Sequence, residues 1–357
     1  MSSDKLVGQR AAPSAASVGV LGLFYPEGLA QLVADEFRLL GYDVVSVEAE
    51  PRPWAIGERT HGRWLSAQRM LMGAAQNFSS VRRSWFRSIC RQFDGRALTC
   101  ILVCHDLLNT HEVIELRRLT GAPVVIWVPD HPASWGRARF LYAGYDRVFL
   151  KDRLLVSRVQ DELGLPAVYL PECFSPRHLP VPNLSALDHD TYGCDLVLAG
   201  NLYPSRVQFL DQLSAYDVKV WGNPAPVWLP LSAKVDAMLM RRYVAYEEKA
   251  KAFLCAKIVL NNLHPAEYHS VNARTFEACG VGAFQLVSWR EGLNDVFKDG
   301  VEVVAYRNLR EMHELIRFYL AAPEARTKIA AAARTRSAAE HTYAHRLQKI
   351  LDSATTS

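Results

Sequence analysis

The residues whose types and spacing point most clearly to chemistry lie in the range 270–280, with the sequence SVNARTFEACG. This stretch follows an apolar strand predicted over 257–262 and opens a helix, for which Asn272 is a suitable N-cap. Arg274 and Glu277 are three residues apart on that helix, so they share one face. The helix start and the Arg suit a phosphate, and a carboxylate one turn deeper can accept hydrogen bonds from two ribose hydroxyls. The pattern predicts a nucleotide-diphosphate pocket; the alternative is an ordinary buried helix with an Arg–Glu pair.

A second candidate loop follows the strand predicted over 195–199. Gly200 and Asn201 leave this strand, Ser205 is predicted to be an N-cap, and Arg206 then lies in the first helical turn. A glycine lets a ligand approach the backbone, and Arg206 would point at a phosphate bound there. The alternative is a plain strand–turn–helix with a surface arginine.

A third loop follows the strand predicted over 218–221. Trp221 and Gly222 stand at its end, before Asn223 and Pro224. Such a loop could lie flat against a nucleobase. The alternative is a turn with a tryptophan in the core.

The elements that must position these residues alternate between short apolar strands and amphipathic helices. This alternation predicts an α/β protein with parallel sheets covered on both faces, in two doubly wound, Rossmann-like halves with a ligand cleft between them. Gly280 and Gly282 are predicted to follow the end of the helix that Asn272 opens. The predicted strands are 18–24, 43–47, 100–104, 124–128, 146–150, 195–199, 218–221, 257–262, 283–287 and 301–306, and the predicted helices are 26–40, 205–216, 247–256 and most of the chain from 309 onward.

The domain boundaries follow from composition. A polar segment with four prolines between 171 and 182 ends near Tyr192 and predicts an interdomain linker. The predicted parts are a disordered leader at 1–16, a first domain at 17–178, a linker at 179–192, a second domain at 193–335 and a C-terminal helix at 336–357.

Composition limits the class of protein. Of 357 residues, 50% are hydrophobic and 22% are charged, and the net charge is +4, which is ordinary for a globular protein and does not predict a nucleic-acid partner. No apolar run approaches the roughly 20 residues that span a bilayer, and no secretory signal is visible. The seven cysteines are scattered and lack zinc-ligand spacing. These features predict a cytoplasmic protein with reduced cysteines and no metal site.

The segment 51–96 is locally basic, with nine Arg against Glu58 and Asp94. Within it, apolar residues recur at helical spacing among four of the arginines. The pattern is typical of a solvated helix face over a core stripe; the alternative is a peripheral contact with an anionic acceptor or a membrane surface. The apolar residues are Phe78, Val81, Trp85 and Ile89, and the arginines are Arg82, Arg83, Arg87 and Arg91.

The run from Lys257 to the C-terminus resembles the C-terminal domain of CgeB-like glycosyltransferases, a branch of GT-B enzymes close to the family 4 type. The resemblance covers about two thirds of the chain and is most specific in the second half. The residues that carry it are Asn272-x-Arg274-Thr-Phe-Glu277-Ala-Cys-Gly280, Phe297-x-x-Gly300-x-Glu302-Val, Tyr306-x-Asn308, the tail segments 321–326 and 341–346, Gly200-Asn201 with Arg206, and the segment 127–132.

The resemblance implies a GT-B fold whose C-terminal helix crosses back to the first domain. It also implies transfer of a sugar from a nucleotide-diphosphate sugar to an acceptor hydroxyl, with no metal and no other cofactor. In this reading Glu277 holds the ribose, Arg206 and Arg274 neutralise the diphosphate leaving group, and Trp221-Gly222 borders the base. Gly200, Asn201, Asn272 and Thr275 complete the predicted donor site. The acceptor, whether a saccharide, a lipid-linked sugar or a protein, is left open.

One position departs from the family pattern. Many family 4 type enzymes carry a second Glu eight positions before the ribose-binding one; here that position is His269, and the nearest carboxylate is Glu267. His269 could still donate a hydrogen bond to a sugar hydroxyl. The stereochemical outcome, inversion or retention, therefore stays open.

The first half is expected to hold the acceptor and any catalytic base. His105 and Asp106 follow one predicted strand, and Asp130 and His131 follow another, so both pairs lie at carboxyl ends that face the cleft. Either pair would suit deprotonation of an acceptor hydroxyl, and the alternative for each is a polar loop end. Two other functions stay open: a sugar-nucleotide epimerase of the same fold, which needs no acceptor, and a non-catalytic binding relative.

Overall fold

Two all-parallel sheets, one in each half of the chain, carry the fold. The computed structural model describes residues 16–49, 77–130 and 138–355. Within these, the first sheet has the strand order β2-β1-β3-β4-β5-β6. Its strands are β1 (Ser17–Gly22), β2 (Asp43–Glu48), β3 (Leu98–Val103), β4 (Val124–Val128), β5 (Arg147–Leu150) and β6 (Ala167–Tyr169). The helices between them are α1 (Leu29–Leu39), α2 (Ser79–Phe93), α3 (Thr110–Thr120) and α4 (Arg153–Leu163).

The second sheet has the order β11-β10-β9-β7-β8. Its strands are β7 (Cys194–Ala199), β8 (Val218–Trp221), β9 (Ala256–Asn261), β10 (Gln285–Ser288) and β11 (Val304–Tyr306). The helices around it are α5 (Ala186–Tyr192), α6 (Pro204–Leu210), α7 (Ala233–Met238), α8 (Tyr246–Cys255), α9 (Ala273–Val281), α10 (Leu309–Ala321) and α11 (Pro323–Glu340). A final helix, α12 (Tyr343–Thr355), follows.

The central strands are buried on both faces, as the apolar sequence predicts for parallel sheets. All five residues of β4 are buried, and they alternate between two clusters. Ile126 packs in a cluster with Ile89 of α2, whereas Trp127 packs in the cluster that contains Phe37 of α1. Helices on both faces therefore fix the sheet, and its carboxyl edge stays open for a ligand.

The strand orders place that open edge. In the first sheet the order reverses at β1, which lies between β2 and β3, and in the second it reverses at β7, which lies between β8 and β9. Loops after such strands diverge and leave a crevice at the carboxyl edge of each sheet. The loop after β1 carries Glu27, and the loop after β7 carries Gly200 and Asn201.

Helix α12 returns to the first half. Its residues Tyr343, Leu347 and Ile350 are buried in the same cluster as Trp127. The crossing point is tied to the segment after β6: Phe174 N donates to the carbonyl of residue 341 at 3.1 Å, and Tyr343 N donates to Phe174 O at 3.3 Å. The fold class predicted from the sequence, including this return, is confirmed.

Two local predictions are wrong. Tyr203 is the N-cap of α6, with Pro204 at its first position, so Ser205 is inside the helix rather than its cap. Gly280 is inside α9, where an added Cβ would meet the Phe174 ring at 2.3 Å, and only Gly282 ends the helix, with φ 82°. Helix α5 lies within the predicted linker 179–192.

The basic segment 51–96 is described only from residue 77 onward. In α2, Ile89 is buried, but Phe78 before it and Val81 are 67% and 41% exposed, so the predicted apolar stripe is shorter than expected. Arg82 is turned inward and donates from Nε to Glu112 at 2.6 Å. The predicted leader lies outside the described residues except for residue 16. The predicted domain bounds stay a prediction.

Candidate active site

A cleft of ≈370 Å³ lies between the carboxyl edges of the two sheets. The first half contributes the loops after β1, β4 and β6, and the second half contributes the loop after β7 and the start of α9. Residues from both halves that line it include Glu27, Asp130, Glu172, Asn201, Arg274 and Glu277. The cleft is therefore placed where two sheets of this topology bind ligands.

The start of α9 forms one wall of the cleft. Arg274 donates from Nη1 to Glu277 at 3.0 Å and from Nε to Ala199 O at 2.8 Å. The second oxygen of Glu277 accepts from Lys249 Nζ at 2.7 Å, and Lys249 is only 3% exposed. Burial alone would raise the pKa of Glu277, but Lys249 and Arg274 lower it well below its ordinary value. Glu277 is thus a fixed carboxylate that faces the cleft between two cations.

A second guanidinium converges on the same place. Gly200 has φ 131°, and a Cβ there would lie 3.0 Å from Arg206 Nη1 and 3.1 Å from Arg274 Nη2. Arg206 is 7% exposed and bonds to Asn262 Oδ1 at 3.0 Å and to Asn201 O at 2.9 Å. Burial lowers the pKa of Arg206, and the nearby Arg274 lowers it further. Two cations beside one glycine make a place that favours an anion.

The loop after β1 reaches across to this wall. Glu27 has φ 61°, which is uncommon for a residue with a side chain. Its carboxylate pairs with Lys249 Nζ at 2.7 Å, and it accepts hydrogen bonds from Tyr243 Oη and from Tyr246 N, the latter at 3.0 Å. Glu27 therefore joins the first half to the same lysine that holds Glu277.

Gly200 provides a test of this geometry. We expect Gly200→Ala to lower the free energy of unfolding by about 1–3 kcal/mol because of its φ, and to weaken nucleotide binding because the methyl group displaces both guanidiniums. Gly95→Ala is the matched control: Gly95 has φ 68° but no atom within 4 Å of the added Cβ. Thermal melts and calorimetric titration of both variants should show two destabilised proteins, of which only the Gly200 variant loses affinity. Equal affinity in both would contradict the placement of the guanidiniums.

Two other predicted donor residues belong to the cap of α9. Asn272 accepts from Thr275 N at 3.3 Å and exchanges hydrogen bonds with Asn261. Thr275 is fully buried, and its hydroxyl accepts from Asn261 Nδ2 at 3.1 Å. Both side chains therefore hold the helix start in place, and neither is among the residues that line the cleft.

The loop after β8 is packed more tightly than expected. Trp221 is 2% exposed, and its ring packs against Tyr192, which agrees with the core alternative. A Cβ at Gly222 would lie 2.3 Å from Gly200 O, so this glycine allows the loops after β7 and β8 to touch. Among the described residues that line the cleft, Trp221 is not present.

The residues predicted as catalytic-base candidates on the first half occupy different environments. Asp106 is buried and accepts from the backbone N–H groups of Arg139 and Phe140, each at 2.8 Å, so its carboxylate holds a turn. His105 does not line the cleft, whereas Asp130 does and is exposed. His131 lies outside the described residues.

The position that departs from the family pattern also lies away from the cleft. A Cβ at Gly292 would lie 2.7 Å from His269 Nδ1, so the imidazole packs on that glycine. Glu267 is 7% exposed, pairs with Lys151 at 2.7 Å and accepts from Ser270 Oγ at 2.6 Å. Neither residue is among those that line the cleft.

Comparison with known proteins agrees with this architecture. Residues 206–352 match the family model described as glycosyl transferase-like. The spore protein CgeB of Bacillus subtilis is 24% identical over 251 residues, which cover 62% of this chain and 72% of that protein.

Solved structures show the same fold over nearly the whole chain. Sucrose-phosphate synthase from Thermosynechococcus elongatus superposes with a TM-score of 0.64 at 11% identity, covering 94% of this chain and 97% of that one. Anabaena HepE in complex with UDP and glucose superposes with a TM-score of 0.62 at 10% identity, covering 95% and 99%. The chain is a glycosyltransferase of the GT-B fold. Among its described residues, none of the helices is long and apolar enough to cross a membrane.

The cleft of this glycosyltransferase contains side chains that the sequence did not single out. Glu27 and Lys249 are far apart in sequence and meet only because the two halves face each other. Glu172 follows β6 and lines the cleft beside Asp130. Lys249 follows two glutamates at the start of a helix, a pattern that resembles any solvated helix, so no local signal distinguishes it.

Glu172 of the glycosyltransferase shares one cation with another carboxylate. Lys151 Nζ lies 2.7 Å from Glu267 but 3.4 Å from Glu172. Burial raises the pKa of Glu172 to about 8, and Lys151 opposes this only in part. Since one ammonium serves both carboxylates and lies closer to Glu267, it offsets the raised pKa of Glu172 only partly.

This raised pKa predicts how the stability of the glycosyltransferase changes with pH. A carboxyl whose folded pKa is raised contributes stability below its unfolded pKa of 4.5 and loses it as the pH rises through about 8. We therefore expect Glu172→Gln to unfold with a free energy about 2–4 kcal/mol higher than the wild type at about pH 8.5, and with little difference at about pH 4.5. Chemical unfolding across that pH range measures how the difference in unfolding free energy between the variant and the wild type changes with pH. The control is Glu162→Gln, which changes an exposed glutamate on α4, and a difference for Glu172→Gln that does not vary with pH would contradict the assignment.

Proposed function

We propose that the protein transfers a sugar from a nucleotide-diphosphate sugar to an acceptor hydroxyl, with the donor held mainly by the second half. The observation that carries the proposal is the convergence of Arg206 and Arg274 on Gly200, beside the start of α9 and next to Glu277. A diphosphate would complete the charge balance of that wall. The HepE structures with UDP and with UDP-glucose make uridine nucleotides the first to test.

The chemistry of the leaving group supports this assignment. Breaking the bond between the sugar and the β-phosphate places developing negative charge on a phosphate oxygen. Guanidinium groups that are already positioned stabilise that charge without reorganisation, and the N–H groups of the helix start add to the same effect. In this proposal Arg206 and Arg274 neutralise the diphosphate, so the reaction proceeds without a metal ion.

Glu277 has the remaining capacity to bind the ribose. Each carboxylate oxygen has two acceptor directions, and each is engaged by a single cation, Lys249 on one side and Arg274 on the other. The free directions can accept hydrogen bonds from the two ribose hydroxyls. The lowered pKa keeps Glu277 charged at neutral pH, so it acts as an acceptor only.

Binding and turnover test the proposal directly. Calorimetric titration with UDP, GDP and dTDP should show binding of at least one nucleotide, with the affinity unchanged by EDTA. Nucleotide release from the corresponding sugar nucleotide should increase when an acceptor saccharide is added. No binding by any of the three would refute the proposal, and conversion of the donor sugar without an acceptor would favour an epimerase instead.

Contact with a membrane or an anionic acceptor remains a separate proposal. On the described part of the basic segment, Arg83, Arg87 and Arg91 are exposed on one face of α2, near the exposed Phe78. Basic and apolar side chains in this arrangement favour an anionic lipid surface. Sedimentation with vesicles that contain phosphatidylglycerol tests it, and Arg83→Ala with Arg87→Ala should abolish any binding.

A further inference from the structure

A chain of three polar side chains borders the cleft on the side of the first half. Ser175 Oγ lies 2.9 Å from His178 Nδ1, and His178 Nε2 lies 3.1 Å from Asp35 Oδ2. Ser175 and His178 both line the cleft, and Ser175 is only 5% exposed. Asp35 comes from α1, so the chain joins that helix to the segment after β6.

The chemistry of the three groups determines which of them donates and which accepts in each hydrogen bond. An ionised carboxylate can only accept, so the Nε2 atom that faces Asp35 carries a proton. In the neutral imidazole Nδ1 is then the acceptor, and the Ser175 hydroxyl donates to it. Asp35 is itself fixed by Arg38 Nη1 at 2.9 Å and by Gln31 Nε2 at 2.8 Å. A hydroxyl, a base and an oriented carboxylate in this order are the parts of a proton-accepting relay.

The Ser175–His178–Asp35 relay is connected to the wall of the cleft that the start of α9 forms. The ring of Tyr246 packs on His178 with 5.6 Å between the ring centroids. Tyr246 also donates from its backbone N to Glu27, and Glu27 pairs with Lys249, which holds Glu277. His178 therefore borders the same cleft as Glu277 and is linked to it through Tyr246, Glu27 and Lys249.

Two other carboxyls on this side are less suited to accept a proton. Asp106 holds a turn, and burial raises the pKa of Glu172 to about 8. The groups around His178 are Asp35 and Glu36 on α1, Arg177 beside it in the chain, and Tyr246 on α8.

We propose that Ser175 and His178 are catalytic residues that remove the proton from the acceptor hydroxyl, and that Asp35 is the positioning residue that orients the imidazole. The acceptor hydroxyl gives its proton to Ser175 Oγ while the Ser175 proton moves to His178 Nδ1. The acceptor oxygen forms a bond to the anomeric carbon as the bond from that carbon to the β-phosphate oxygen breaks. The nucleotide diphosphate leaves, and the imidazolium returns its proton to water. This inference rests on the proposed transferase function.

The test compares His178→Gln with Asp35→Asn and with His189→Gln, which changes an exposed histidine on α5. The probes are UDP-glucose, GDP-mannose and dTDP-glucose with a mixture of glucose, galactose, N-acetylglucosamine and lactose as acceptors. We expect His178→Gln to lower turnover at least about 100-fold, and Asp35→Asn about 10-fold or more, while the dissociation constant of the nucleotide stays within about twofold. His189→Gln should match the wild type.

Two further readouts separate a proton acceptor from a merely structural histidine. The pH profile of wild-type turnover should contain a limb that is absent in His178→Gln. In His178→Ala, added imidazole should restore part of the turnover, even if that variant is less stable. If nucleotide binds but His178→Gln keeps its turnover, or imidazole gives no rescue, the relay is wrong. If no nucleotide binds to the wild type, the proposed function fails first and the relay fails with it.

Discussion

Glu277→Ala is expected to lower the free energy of unfolding by about 1–3 kcal/mol and to weaken nucleotide binding by about 10- to 100-fold. The first effect arises because the half-buried Arg274 would lose its carboxylate partner and the buried Lys249 would keep only Glu27. The second arises because the ribose would lose a charged hydrogen-bond acceptor. Thermal melts measure the stability and calorimetric titration with UDP, GDP and dTDP measures the affinity.

Glu115→Ala is the matched control for this prediction. Glu115 pairs with Arg118 at the same i,i+3 spacing as Arg274 and Glu277, but on the exposed face of α3. Solvent screens an exposed ion pair, so neither stability nor affinity should change much. Glu277→Gln keeps one neutral acceptor and should lie between the wild type and the alanine variant in affinity. A Glu277→Ala protein that binds nucleotide as tightly as the wild type would remove Glu277 from the site.

The pH dependence of the same carboxylate has the opposite sign to that of Glu172. Because the folded pKa of Glu277 is lowered from its ordinary 4.5, its stabilisation is present above that pH and is lost as the pH falls further. Glu172, whose pKa is raised, is most favourable below 4.5 and costs stability towards about pH 8. The two carboxyls line one cleft and are both opposed by burial, and the number of close cations decides the direction in which the pKa of each shifts.

How far the sequence predicts the site depends on whether a contact is local. Asn272, Arg274 and Glu277 lie within one short helix start, so their spacing alone predicted the cap and the Arg–Glu pair, and the structure contains both. The pairing of Glu27 with Lys249 joins two halves of the chain, and nothing near either residue marks it. The Ser175–His178–Asp35 chain was missed for the same reason, since Asp35 reaches it from α1.

Polar residues at strand ends show a second limit. A carboxylate after a parallel strand can face a ligand or satisfy the N–H groups of a neighbouring loop, and the sequence is the same in both cases. Asp106 does the second, for Arg139 and Phe140, while Asp130 reaches the cleft. Trp221 shows the corresponding limit for an apolar residue, because a strand end can still turn its side chain into the core. The sequence shows that a residue follows a parallel strand. The direction of its side chain depends on how the folded chain packs around it.

The predicted Ser205 cap failed for a local reason that the sequence did contain. Proline is favoured at the first helical position, where its missing N–H is not needed, so α6 starts at Pro204, two residues earlier than a cap at Ser205 would place it. Arg206 still lies in the first turn, and its guanidinium still reaches Gly200. The helix start was therefore mispredicted, but the predicted place of the Arg206 guanidinium was not affected.

Arg274→Ala is expected to lower kcat by about 100- to 1000-fold while weakening binding of the donor much less, because the guanidinium contributes most when charge develops on the leaving phosphate. Arg274→Lys keeps the charge but loses the fork of donors, so its kcat should be intermediate. Arg118→Ala removes the exposed counterpart on α3 and should leave kcat unchanged. Steady-state and single-turnover rates of nucleotide release separate kcat from binding.

A double-mutant cycle with Arg206 tests whether the two guanidiniums act on one anion. Arg206→Ala should lower kcat in the same range, with some loss of stability because Arg206 is buried and bonds to Asn262. If both groups stabilise the same diphosphate, the combined effect should differ from the sum of the two single effects by at least about 0.5 kcal/mol. Additive effects would place the two arginines on separate groups. A kcat within about threefold of the wild type in Arg274→Ala would instead mean that Arg274 serves only to hold Glu277 and the loop after β7, and that the leaving group is stabilised elsewhere.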